Sequence, residues 1–243
     1  MPQHAQPSEL SPMPSSSTNA RQIMFKSNEF TLSGTLHLPD GISTPPVVIG
    51  CHGLLSDSNS PKQIALAKHC NSAGIGYFRF DHRGCGKSTG DLRKVTSLHA
   101  RSDDLYSAIQ KLTSLGINRK RIGLFGSSLG GSVCLDIASR HAISVLVIFA
   151  APLKIGTEIK DSLVPNLTFN LSGMLDQVGN IHIFHGESDN TIPLSHAHSI
   201  FRQVAFPKKL TVLAGGDHRM SERSHQISFM NSAVDWFSRT LLG

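Results

Sequence analysis

The strongest chemical signal in this chain is Gly126-Ser127-Ser128-Leu129-Gly130, a serine with a glycine two residues away on either side. The apolar run Ile122 to Phe125 precedes it and a helical pattern begins near Leu129, so the pentapeptide occupies a strand–turn–helix. A turn sharp enough to expose the hydroxyl leaves no room for side chains at the flanking positions, which makes Ser128 the nucleophile and Ser127 the intervening residue. A serine hydroxyl attacks a carbonyl only when a base takes its proton and an acid orients that base. Both groups follow in the order that suits such a turn. Asp189 comes after the apolar run Ile181 to His185, in His185-Gly186-Glu187-Ser188-Asp189, and His218 comes after the run Leu210 to Ala214, in Gly215-Gly216-Asp217-His218. Of thirteen histidines, His182 and His185 lie on or at the end of a strand pattern and His196, His198 and His225 on helical stretches, whereas His218 falls on a loop after the last strand. Glu187 and Asp217 rival Asp189 as the acid. Asp217 is too close in sequence to bond the neighbouring ring and Glu187 comes early in its turn, so Asp189 is favoured.

Acyl transfer also needs two backbone N–H groups aimed at the developing oxyanion. The N–H of Leu129, at the helix start, is one; the other is assigned to Leu54 in Cys51-His52-Gly53-Leu54-Leu55. A competing motif, Gly84-Cys85-Gly86-Lys87-Ser88-Thr89, resembles the end of a phosphate-binding loop, but Asp81 stands where that pattern requires its first glycine, and no helix continues through Thr89-Gly90-Asp91. No H-E-x-x-H or comparable metal-ligand spacing occurs, so the expected chemistry uses no metal and no cofactor.

These residues must be positioned by a scaffold, and the sequence offers eight strand patterns: 22–26, 30–38, 47–51, 76–80, 121–125, 145–150, 181–185 and 210–214. The first two suit an antiparallel hairpin; the later ones are near-continuous apolar runs, as in a sheet buried on both faces. Helical patterns at 62–72, 98–115, 129–141, 195–204 and 221–241 alternate with them, which predicts a mostly parallel sheet with helices on both faces. The last helix places Ile227, Met230, Val234, Phe237 and Leu241 on one stripe, and Leu105, Ile109 and Leu112 do the same in the second. Every motif above then falls beyond the carboxyl end of a strand, where such sheets gather their functional groups.

The 243 residues suit one α/β domain over 21–243, preceded by a flexible Pro-, Ser- and Gln-rich tail over 1–20 and carrying a short cap at 152–179. The net charge of +6 is scattered; its densest cluster, Arg119-Lys120-Arg121, lies in a connection without aromatic residues that could stack bases, which argues against a nucleic-acid partner. Cys51, Cys70, Cys85 and Cys134 form no CxxC pair and read as reduced, packed thiols. No apolar run approaches a signal sequence or a membrane span, so a soluble cytoplasmic protein is expected.

His52-Gly53, the string Asp81-His82-Arg83-Gly84-Cys85-Gly86-Lys87-Ser88, the Gly126–Gly130 turn, His185-Gly186 with Asp189 and Pro193, and Asp217-His218 together resemble the α/β-hydrolase superfamily over essentially all of 22–243. Asp217-His218-Arg219-Met220 is similar to the corresponding string of bacterial cinnamoyl esterase-like and lysophospholipase-like hydrolases, with Met220 replacing an aromatic residue. The resemblance implies the α/β-hydrolase fold, makes the Asp81–Ser88 loop structural, and implies a serine hydrolase acting on a small-molecule ester through an acyl-enzyme. Thioester, amide or peptide cleavage would use the same groups, and a noncatalytic binding protein would be expected to have lost one of them.

Overall fold

The computed structural model describes residues 19–156, 164 and 167–243. In chain order the elements are β1 (Asn19–Ser27), β2 (Phe30–Leu38), β3 (Val47–Cys51), α1 (Pro61–Ser72), β4 (Gly76–Phe80), α2 (Leu92–Val95), α3 (Leu98–Ser114), β5 (Ile122–Ser127), α4 (Leu129–Arg140), β6 (Val145–Phe149), β7 (Lys154–Ile155), β8 (Phe169–Asn170), β9 (Ile181–Gly186), α5 (Ser195–Gln203), β10 (Lys208–Leu213) and α6 (Arg223–Leu241). Eight strands form one sheet in the order β1-β2-β4-β3-β5-β6-β9-β10. β1 and β2 pair as an antiparallel hairpin, β2 is antiparallel to β4, and every other pairing is parallel.

Every residue of β3 and β6 is buried, as the runs Val-Val-Ile-Gly-Cys and Val-Leu-Val-Ile-Phe require of strands covered on both faces. On one face α3, α4 and α5 pack through Leu105, Ile109, Leu112, Val133, Ile137 and Ile200. On the other, α1 and α6 pack through Leu66, Cys70, Phe229, Ala233 and Phe237 onto Val48, Phe125 and Phe149. The four cysteines are free thiols, all buried.

Three expectations change. The sheet begins at Asn19, so Asn19 and Ala20 belong to β1 rather than to a tail; residues 1–18 lie outside those described. The stripe of α6 runs through Phe229, Met230, Ala233, Phe237 and Leu241, with Val234 only partly buried, whereas Ile227 is 52% exposed and lies off the packed stripe. The 152–179 region contains the small hairpin β7–β8, for which two-residue strands leave no periodic signal; residues 157–163, 165 and 166 within it lie outside those described.

Candidate active site

The turn between β5 and α4 is held by contacts that only glycine permits. A Cβ at Gly126 would lie 2.3 Å from the Gly130 carbonyl oxygen, and one at Gly130 would lie 2.3 Å from that of Cys51. Between them Ser128 adopts φ 53° and ψ −127°, a left-handed backbone that costs a non-glycine residue about 1–3 kcal/mol. The Ser128 N–H donates to the Phe149 carbonyl at 2.8 Å, tying the turn to the end of β6.

His218 stands on the loop after β10, and its Nε2 lies 3.2 Å from Ser128 Oγ. Its Nδ1 lies 2.8 Å from Asp189 Oδ2. Asp189 Oδ1 accepts from the N–H groups of Thr191 at 2.9 Å and Ile192 at 2.8 Å, so backbone donors fix the plane of the carboxylate. Burial alone would raise the Asp189 pKa, but the hydrogen bonds from His218, Ile192 and Thr191 outweigh it and hold the carboxyl below its usual range. The chain places Ser128, His218 and Asp189, separated by up to 90 positions, in one hydrogen-bonded line.

The rival acids are placed elsewhere. Asp217 caps the turn after itself, accepting from the Ser221 N–H at 2.8 Å and the Ser221 hydroxyl at 2.6 Å. Glu187 Oε2 accepts from the Gly215 N–H at 3.0 Å and clasps the loops after β9 and β10 together.

Two further side chains stand beside this line. His185 is fully buried; its Nε2 donates to the Ile192 carbonyl at 2.8 Å and sits 3.4 Å from Asp189 Oδ2. Burial lowers its pKa, so the ring is neutral and braces the acid loop from behind. The half-buried Lys62 ammonium, at the start of α1, lies 3.9 Å from the Phe149 ring centre and 3.4 Å from Ser127 Oγ. Burial lowers its pKa to about 8 against the opposing pull of Asp217 and Asp189. A lone lysine carries no spacing that would point to a partner on a distant strand, and the contacts of His185 with Asp189 and Ile192, four and seven positions further on, depend on how the following loop folds back.

Among the described residues neither the Leu129 N–H nor the Leu54 N–H has a hydrogen-bond acceptor. Gly53 backs onto Ser128, since a Cβ there would lie 3.4 Å from Ser128 Cβ. The carbonyls of His52, Gly53 and Leu54 turn instead toward the Arg101 guanidinium.

The phosphate-loop look-alike is scaffold. Asp81 Oδ1 accepts from the Ser58 N–H at 2.8 Å and Oδ2 from the Lys87 N–H at 2.9 Å, and the Ser88 hydroxyl donates to the Asp81 carbonyl at 2.6 Å. Among the described residues no group of three or more His, Cys, Asp and Glu side chains is placed to hold a metal ion, and no helix is long and apolar enough to cross a membrane. A recess lined by Ala138, His141, Ile143, Asn180 and Phe206 lies at the amino ends of the strands and is lined by none of these site residues.

The family model for serine aminopeptidase, S33, matches residues 43–180. Among curated proteins, the uncharacterized protein YfhR of Escherichia coli is 27% identical over 183 residues, which cover 70% of this chain and 62% of that one. The quorum-quenching protein AidA of Acinetobacter baumannii is 27% identical over 162 residues, covering 65% of this chain and 53% of its own. The chain thus spans between half and two-thirds of the length of these relatives. Among solved structures, Est1E from Butyrivibrio proteoclasticus with ferulic acid bound superposes with a TM-score of 0.77 at 16% identity, over 91% of this chain and all of that one.

Proposed function

Since the chain belongs to the serine aminopeptidase S33 family within the α/β-hydrolase superfamily, we propose that it is a serine hydrolase cleaving a carboxylic ester of a small molecule through an acyl-enzyme on Ser128. The observation that carries this reading is the line Asp189–His218–Ser128, with spacings of 2.8 Å and 3.2 Å. His218 Nε2 takes the hydroxyl proton as Ser128 Oγ attacks the carbonyl carbon. Asp189 holds the Nδ1–H tautomer and offsets the charge on the imidazolium. The N–H groups of Leu54 and Leu129 receive the oxyanion, and their lack of internal acceptors supports that role. His218 then gives its proton to the leaving alkoxide, and water attacks the acyl-enzyme with the same ring as base.

The test compares wild type with Ser128→Ala on p-nitrophenyl acetate, butyrate and octanoate and on ethyl ferulate, together with labelling by a fluorophosphonate probe. Turnover and labelling should both depend on Ser128. Absence of both in wild type, or their survival in Ser128→Ala, overturns the proposal. The family's description as serine aminopeptidases favours amide cleavage as a second reading, which alanine and proline p-nitroanilides address in the same assay. Faster turnover of the anilides than of every ester would make that reading the correct one.

A further inference from the structure

Arg101 lies in the first turns of α3, whose N-cap Ser97 accepts from the Ala100 N–H. It is among the bulkiest of the fully buried side chains. A guanidinium removed from water calls for a carboxylate partner, yet Asp104, one turn further on, is held by Arg83 at 2.8 Å and faces His82 at 3.4 Å. Among the described residues no carboxylate lies within salt-bridge distance of Arg101. Its Nη1 and Nη2 donors go to backbone and one thiol instead, while Nε has no partner among the described residues. Nη1 reaches the carbonyls of Gly53 at 3.2 Å and His52 at 3.5 Å, and Nη2 reaches that of Leu54 at 3.1 Å and Cys85 Sγ at 3.4 Å. Three consecutive carbonyls of one loop thus converge on one buried cation. His52 adds a second donor, its Nδ1 bonding the Gly53 carbonyl at 2.8 Å while its Nε2 accepts from the His82 N–H at 3.2 Å.

We infer that Arg101 is a positioning residue for the oxyanion site, fixing the peptide between Gly53 and Leu54 so that the Leu54 N–H faces the Ser128 side of the loop. In a planar trans amide the C=O and N–H point in opposite directions. Turning the Gly53 carbonyl toward Arg101 and His52 turns the Leu54 N–H away from them, and Gly53 is the residue seated against Ser128. The guanidinium also polarises that amide: a carbonyl accepting a charge-assisted hydrogen bond makes its own N–H a stronger donor. Position and donor strength are both set before substrate arrives, which is the condition for an effective oxyanion site.

The kinetic arm of the test rests on the ester-hydrolase reading; a structural arm does not. Arg101→Met and Arg101→Lys are compared with wild type for kcat and KM per folded molecule, for inhibition by an arylboronic acid that forms a tetrahedral adduct on serine, and for Tm. Loss of one oxyanion donor lowers kcat by about 10²–10³-fold. Arg101→Met should therefore show a fall of that order with KM changed less than about threefold, and boronate inhibition weakened in parallel with kcat. Arg101→Lys, whose ammonium cannot span three carbonyls, should fall by at least about tenfold. A lower Tm with wild-type kcat and wild-type boronate affinity in the folded fraction overturns the inference. If Arg101→Met does not fold, the lysine variant alone decides on the same criteria. If wild type neither turns over esters nor binds boronate, the functional proposal fails by itself, and a crystal structure of Arg101→Lys decides the inference: a rotated Gly53–Leu54 peptide upholds it and an unmoved one refutes it.

Discussion

Replacing Asp189 by Asn changes one atom type, and the surroundings dictate how that change is felt. Oδ1 accepts from two backbone donors, Thr191 at 2.9 Å and Ile192 at 2.8 Å, so the Asn amide keeps its oxygen there; flipping it would leave two N–H groups facing an NH2, at about 1–3 kcal/mol each. The Asn NH2 then points at His218 Nδ1, where the carboxylate oxygen stood at 2.8 Å. Two donors cannot face each other, so His218 shifts its proton to Nε2 and can no longer accept from Ser128 Oγ. Trapping the base in the wrong tautomer costs about 10⁴ in kcat in serine proteases, equivalent to about 5.5 kcal/mol of transition-state stabilisation. The assay is kcat/KM on the best p-nitrophenyl ester for wild type, Asp189→Asn, Glu187→Gln and Asp217→Asn, with Tm recorded for each. We expect a loss near 10⁴ for Asp189→Asn and less than about tenfold for the other two. An Asp189→Asn enzyme within tenfold of wild type, or a Glu187→Gln enzyme as impaired, refutes the assignment of the acid.

Gly130→Ala should cost about 3 kcal/mol or more, because its Cβ would meet the Cys51 carbonyl oxygen at 2.3 Å and backbone cannot yield cheaply; an unchanged urea midpoint contradicts the packing described for the turn. Phe229→Ala, which removes a ring 5.0 Å from Phe184 and 5.7 Å from Phe125, should cost about 3–5 kcal/mol, while Ile227→Gln at an exposed position stays within about 0.5 kcal/mol; equal shifts in Tm would place the stripe of α6 wrongly. Burial lowers the pKa of His37 to about 4, with Arg79 adding to the effect, and burial lowers that of His182 to about 3, so both rings stay neutral in the fold while the unfolded chain protonates them near pH 6.5. Their contribution to stability is fully present above pH 6.5 and declines as the pH falls toward those values, by up to about 1.4 kcal/mol per pH unit for His182. Urea midpoints measured from pH 7.5 to 4.5 should decline less steeply in His182→Gln than in wild type, and parallel slopes would show that His182 is not held neutral.

The strands beside the site were legible because each is buried on both faces and dominated by apolar residues: Val47–Cys51 and Val145–Phe149 carry no charged or amide side chain, and Ile181–Gly186 keeps Ile181, Ile183 and Phe184 around two buried histidines. The turn at Ser128 was legible because close approach of backbone to backbone demands glycine at fixed offsets. What escaped depends on partners far away in sequence. Periodicity places Ile227 on the apolar stripe, yet its exposure is decided by which distant elements pack against that part of α6. Arg101 looks like an ordinary helical charge until its side chain is followed across to the loop after β3.

Ser128 is fastened by its N–H to the last residue of β6, and the N–H of Ala150, next along, is fastened to Phe184 in β9. Ser128 is therefore seated by strands synthesised after it, and Asp189 and His218 arrive later still. A polypeptide stopped before Ile181 carries Ser128 and both loops that flank it but lacks Asp189 and His218. Under the proposed function, hydrolysis is therefore expected to act as a coincidence detector, absent from chains clipped before Ile181 and present only when the β9–β10 edge of the sheet has formed.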